Sequence, residues 1–246
     1  EDGDQAAYSQ TGGERGVKAG PEIRGVIFDV GGTLVHTIDA ILEAMGKAFR
    51  ENGVPVPPPG EFIKNLGKGN VEIILGALPP EIGRDMEMYE KISRSFQRVF
   101  PSRVMDKLRE VEGAGQTLET LRAEGYRLAI TTAFNTMETS AIMGKLGWDS
   151  RLFEAILTFD DVRNMRPSPE IVNLAVARLK RAPSECVCVG DTVNDILAAR
   201  AGGTYVVTVL TGPQDEQTLR RAKPDAVIPD VTHLPAVLRN FTPAQD

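Results

Sequence analysis

Ile23-Arg24-Gly25-Val26-Ile27-Phe28-Asp29-Val30-Gly31-Gly32-Thr33-Leu34 decides the reading of this chain. A short apolar run ends in an aspartate, and two adjacent glycines follow. Val, Ile and Phe packed this densely favour a strand buried on both faces, over residues 23–29. A carboxylate directly beyond such a strand faces the crevice, and glycine lets the backbone turn tightly behind it. Asp29 is ionised at neutral pH. Two roles fit: attack on phosphorus or metal binding, and the ordinary capping of a turn.

Outward from this stretch, apolar blocks at 126–132, 154–159, 185–190, 204–210 and 225–228 repeat the strand pattern. Helical patterns lie between them at 115–125, 136–146, 169–179, 194–201 and 214–221. Strand and helix in strict turn predict an α/β fold, a doubly wound parallel sheet covered on both faces. One interval breaks the alternation. Residues 38–52 read as a helix with apolar positions at Ile38, Ile41, Leu42, Met45 and Phe49; 61–78 and 80–109 read as helical too, beyond a proline-rich joint at 54–60. The simplest organisation is a helical cap domain over 38–111, inserted into a catalytic core made of 21–37 and 112–246. Residues 1–20 are polar, glycine-rich and aperiodic, which predicts a disordered lead-in.

Composition limits the function. The chain has 246 residues, 41% hydrophobic and 25% charged, with a formal net charge of −6. These values fit a globular protein with a sizeable core. No basic stripe is present, so nucleic acid is not an expected partner. No apolar stretch reaches the ~18 residues a membrane span requires, and no signal-peptide core is visible. Cys186 and Cys188 sit together in one apolar block, where they cannot staple a fold of this size. They read as core thiols in a reducing, cytoplasmic setting. Monomer and homodimer are both compatible with the sequence.

Ligands of open parallel sheets sit at the carboxyl ends of the strands. That rule selects Asp29 to Thr33, Thr132 to Asn135, and Asp191 to Asp195. Asp191 and Asp195 flank the start of a helix. Hard cations such as Mg²⁺ take carboxylate oxygens together with water and phosphate. The same residues also suit helix capping, and both readings can hold at once. Thr132, with the backbone at Ala133, suits phosphate oxygens, or is an ordinary hydroxyl turn. Arg166 stands between two prolines in Arg166-Pro167-Ser168-Pro169 and either balances charge in the cleft or is solvated surface.

These elements, in this order and spacing, closely resemble the haloacid dehalogenase superfamily of hydrolases, over nearly everything from Ile23 to Leu238. The resemblance implies a Rossmann-like core with strand order 3-2-1-4-5 and a helical cap. It implies Mg²⁺ as cofactor, with Asp29, the Gly31 carbonyl, Asp191 and Asp195 around it. Asp29 matches the nucleophile, Thr132 the phosphate binder, and Arg166 stands where most members carry lysine. Gly32, Thr33, Ala133 and Arg166 then line the phosphoryl site. The expected activity is hydrolysis of a small phosphorylated metabolite through an aspartyl phosphate.

One departure matters. Most phosphatases of the superfamily have a second aspartate two residues after the nucleophile, where it protonates the leaving group. Here that position is Gly31. The strings TTAFN, RPSP, GDTVND and VLTG look like the phosphonoacetaldehyde hydrolase branch, which uses a small residue there and a cap lysine as Schiff base. C–P bond cleavage of a phosphonate is therefore an alternative expectation, with Lys68 or Lys64 as the lysine; Asn70, however, stands at the matching place. A third is a catalytically impaired phosphate- and metal-binding protein. His36, close behind the Asp29 loop, is a substitute acid or a surface residue of the hinge.

Overall fold

The computed structural model describes residues 22–243 apart from 67 and 69. The lead-in expected over 1–20 lies outside them. Six parallel strands form the central sheet: β1 (Gly25–Phe28), β4 (Arg127–Thr131), β5 (Ala155–Leu157), β6 (Cys186–Gly190), β7 (Tyr205–Val209) and β8 (Ala226–Ile228). Their spatial order is β5-β4-β1-β6-β7-β8. Numbered along the core, this is 3-2-1-4-5 as expected, with the last strand extending one edge. Helices α5 (Ala114–Ala123), α6 (Thr136–Leu146), α7 (Glu170–Leu179), α8 (Val193–Ala201), α9 (Glu216–Arg221) and α10 (Leu234–Arg239) alternate with the strands.

Strand alternation explains the two cores. Side chains at successive strand positions point to opposite faces. Val26 and Phe28, with Val187 and Val189, join the larger apolar cluster, while Ile27, Cys186 and Cys188 join the other. Both thiols are free and buried, as their setting in β6 requires. Register then places the chemistry. Phe28 stands opposite both Ile130 and Val189, so the residues just beyond three adjacent strands emerge level with one another.

The chain leaves and re-enters the core through a two-stranded antiparallel pair, β2 (Val35–His36) with β3 (Arg109–Glu110). Between them lie α1 (Ile38–Glu51), α2 (Pro59–Ile63), α3 (Asn70–Ala77) and α4 (Met86–Lys107). The helix expected over 61–78 is thus two helices. Glycines at 67 and 69 lower helix propensity in that run, each by about 1 kcal/mol relative to alanine. The last helix of the insert begins at Met86 rather than near 80, after a turn in which Gly83 takes a φ of +63°. Phe49 and Phe62 meet edge to face, and Phe96, Phe100 and Phe134 stack in a row, so the insert shares one apolar cluster with the sheet. Among the described residues no helix is long and apolar enough to cross a membrane.

Candidate active site

Asp29 follows β1 directly, and its amide donates to the Val189 carbonyl at 2.9 Å, which keeps the backbone in sheet register one residue past the strand. The chain then doubles back. Gly32 donates to the Val35 carbonyl at 2.7 Å, and Val35 donates to Val30 at 3.0 Å. Gly32 takes a φ of +84°, and a Cβ there would lie 2.3 Å from Asp191 Oδ2. Only glycine satisfies both demands.

From the neighbouring strand β6 come Asp191 and, one turn into α8, Asp195. Asp191 is buried and accepts from the Thr33 hydroxyl at 3.1 Å. Asp195 closes a capping box: Thr192 accepts from its amide, and Asp195 Oδ2 accepts from the Thr192 amide at 3.0 Å and hydroxyl at 2.5 Å. Capping and site membership therefore coexist in Asp195. Asn194, on the same turn, donates to the Leu66 carbonyl at 2.8 Å and ties the core to the insert.

Arg166 lies between the acids. Its Nη2 donates to Asp29 Oδ1 at 2.6 Å, its Nη1 donates to Asp195 Oδ1, and the residue is only 4% exposed. The surface alternative for this arginine does not hold. Burial pushes the Asp29 carboxyl up to about 6; Arg166 opposes this and Asp195 reinforces it. Burial also raises Asp191 well above the usual carboxylate range, and the charges of Asp29 and Asp195 add to the effect. For Arg166, burial acts to lower its pKa, but the two carboxylates outweigh it and hold the guanidinium protonated.

The third side comes from β4. Thr132 accepts from the Phe134 amide at 3.2 Å, so its own hydroxyl hydrogen is free to point into the cleft. Asp29, Thr132, Ala133, Arg166, Asp191 and Asp195 line one cavity of about 60 Å³, closed on the far side by the insert. The structure thus brings together the residues singled out at three strand ends. Gly31 lies on the same cavity; Gly32 and Thr33 stand just behind it, against Asp191. Lys68 is not brought in: its ammonium donates to Asn65 at 3.2 Å, and Lys64 pairs with Glu61. No lysine stands among the described residues of the lining. His36 is exposed in β2 and faces a different hollow.

The family model described as haloacid dehalogenase-like hydrolase matches residues 26–209. The chain belongs to the haloacid dehalogenase-like hydrolases. Pyrophosphatase PpaX of Bacillus pumilus is 32% identical over 88% of this chain and 96% of its own length. Phosphoglycolate phosphatase of Pasteurella multocida is 27% identical over 86% of this chain and 96% of its own. The crystal structure of a hydrolase from Pseudomonas syringae superposes with a TM-score of 0.78, at 24% identity, covering 89% of this chain and 99% of that one.

Two polar lining residues of this haloacid dehalogenase-like hydrolase, Thr37 and Glu138, escape a reading based on strand ends, as do the apolar ones from the insert. Thr37 comes from the hinge before α1, and its buried hydroxyl has no hydrogen-bond partner among the described residues. Glu138 comes from α6, where it caps the helix by accepting from the Asn135 amide at 2.9 Å, and burial raises its pKa. The Asn135–Glu138 spacing was a visible capping-box signal, but nothing in it points to a cleft. Thr37 carried no signal at all.

Proposed function

We propose that this chain is a Mg²⁺-dependent phosphatase that hydrolyses a small phosphate monoester through an aspartyl phosphate on Asp29, with 38–111 acting as the cap over the site. One observation carries this reading: Asp29, Thr132, Arg166, Asp191 and Asp195 converge on a single cavity although they lie on different loops. The donor set suits a hard cation. Two buried carboxylates, Asp29 and Asp195, pair with one guanidinium, a third, Asp191, is buried on the same cavity, and all the donors are oxygen. Asp29, Asp191 and the Gly31 carbonyl would hold the ion; Asp195 is already occupied by Arg166 and Thr192. Among the described residues no group of three or more His, Cys, Asp or Glu is arranged to hold a metal alone. When bound, a divalent cation supplies neutralisation of phosphoryl charge and a template for the transferred group.

The chain's own residues supply the rest. An ionised Asp29 attacks phosphorus, the P–O bond to the leaving alcohol breaks, and the departing oxygen takes its proton from water. Arg166 orients the attacking carboxylate, and the Thr132 hydroxyl donates to a phosphoryl oxygen. Water then attacks the phosphorus of the aspartyl phosphate, which releases inorganic phosphate and restores the carboxylate. The overall balance is ester plus water giving alcohol plus phosphate. With glycine at 31, no side chain there assists departure, a contribution typically worth ~10²–10⁴-fold. A simple alkoxide should therefore depart slowly, with water as its proton source. A phosphatase is favoured over C–P cleavage because Lys64 and Lys68 have their partners on the insert surface.

The deciding experiment is a screen of phosphorylated metabolites for phosphate release, with Mg²⁺ and with chelator, on the native protein and on Asp29→Asn. Turnover that needs both the metal and Asp29 supports the proposal. Undiminished turnover in Asp29→Asn would overturn it, and binding without any turnover would favour a phosphate-binding role.

A further inference from the structure

Beyond the phosphoryl site, the cavity changes character. The insert and the loop after β4 present Ile38, Ile41, Leu66, Ile73, Phe96 and Phe134. The one charged side chain there, among the described residues, is Glu138, an acid. Arg166, the single cation among the described residues of the lining, has already given a guanidinium nitrogen to each of two carboxylates. A second anionic group on the substrate would thus enter an apolar wall beside a carboxylate, with no counter-charge. Juxtaposing like charges in such a place costs several kcal/mol.

One polar atom remains on that side. The Thr37 hydroxyl is buried, 1% exposed as a residue, and unpartnered among the described residues. It lies 2.8 Å from the point where a Cβ on Gly31 would stand, between the Asp29 loop and the apolar wall. Buried hydroxyls are almost always satisfied, so an unpaired one in a residue that lines a cleft calls for a ligand. At roughly 10–15 Å³ per water position, a cavity of about 60 Å³ suits a phosphoryl group with a short leaving alcohol.

Building on the phosphatase reading above, we infer that the substrate is a phosphate monoester of a short, uncharged alcohol, that Thr37 hydrogen-bonds the alcohol portion, and that esters with a second acidic group are rejected. The preference sets this chain apart from the substrates named for its relatives, phosphoglycolate and pyrophosphate.

Matched pairs test this. With Mg²⁺, kcat/KM is measured for 2-hydroxyethyl phosphate against phosphoglycolate, and for glycerol 1-phosphate against 3-phosphoglycerate. The uncharged member of each pair should be favoured at least about 100-fold, which corresponds to the several kcal/mol above. Equal or better use of the carboxylate member, or efficient hydrolysis of pyrophosphate, overturns the inference. Binding of the same four esters to Asp29→Asn, followed by calorimetry, separates the two claims. A preference in Kd supports the uncharged-alcohol subsite even where turnover fails, and equal Kd values overturn it. Thr37→Val supplies an independent arm. It should lower kcat/KM for 2-hydroxyethyl phosphate about tenfold while Tm holds or rises, because no hydrogen bond among the described residues is lost. A lower Tm with unchanged kinetics would mean that Thr37 is structural and would overturn its assigned role.

Discussion

Replacing Arg166 by methionine removes the cation that pairs with two buried carboxylates, Asp29 and Asp195. Methionine matches much of the volume and fills gaps easily, so packing is a minor part of the effect. Electrostatics dominate. Breaking a buried pair by deleting one partner costs ~3–5 kcal/mol, because the other charge is left uncompensated. In a domain of this size 1 kcal/mol is worth about 2–4 °C in Tm. A loss on the order of 10 °C is expected at pH 7.5 in chelator. The pH dependence identifies the cause. Asp29 in the intact protein is already raised to about 6 by burial, with Arg166 acting to lower it. Without Arg166 its carboxyl should titrate higher still, so at pH 5 it is protonated and carries no charge needing a partner. The penalty should shrink at pH 5 to about half its value or less. Urea unfolding of both proteins at pH 5 and pH 7.5 measures this difference directly. Equal destabilisation at the two pH values, or a loss under about 1 kcal/mol at pH 7.5, would refute the electrostatic account of this site.

Metal and pH should be linked in the native protein as well. Burial raises Asp29 to about 6 and raises Asp191, so each favours folding fully below the unfolded carboxylate value near 3.8 and loses that contribution as pH rises through its folded value. Stability in chelator should therefore fall between pH 4.5 and pH 7, and Mg²⁺ should raise Tm more at pH 7.5 than at pH 5; saturation at 100 times Kd is worth ~2.7 kcal/mol. A Mg²⁺ effect as large at pH 5 would contradict this. Gly32→Ala must place a Cβ 2.3 Å from Asp191 Oδ2 at a φ of +84°. It should cost at least about 2 kcal/mol in unfolding free energy and most of the activity; a wild-type urea midpoint would count against the turn geometry. Asn194→Asp exchanges the donor to the Leu66 carbonyl for a repelling oxygen. A cost of ~1–3 kcal/mol is expected, read as a higher KM and faster protease cleavage between α2 and α3; unchanged cleavage would show that this bond does not hold the insert down.

Much of this was legible in the linear chain because short-range chemistry wrote it there. Buried parallel strands need unbroken apolar blocks, and helices between them need their own period, so both the class of fold and the order of its elements were readable. The ends of strands are where loops carry function, so Asp29, Thr132, Asp191 and Asp195 stood out by position. The boundaries inside the insert were less readable. Its helices are defined by packing against the sheet's apolar cluster through residues such as Phe62, Ile74 and Phe96, and local pattern gave one long helix where two form.

What tertiary structure alone decided is which of these residues meet, and in what electrical company. Arg166 became a buried partner of two acids, instead of a solvated side chain, because the loop after β5 folds back beneath Asp29. Lys68, the nearest basic residue to a recognisable pattern, stayed on the insert with Asn65. Thr37 and Glu138, with no signature of their own, were carried to the cleft wall by the hinge and by α6. Sequence periodicity reports the environment a residue prefers within a few positions along the chain. Charge balance, and the pairing of groups more than a hundred residues apart, depend on distances that exist only once the sheet has set its register.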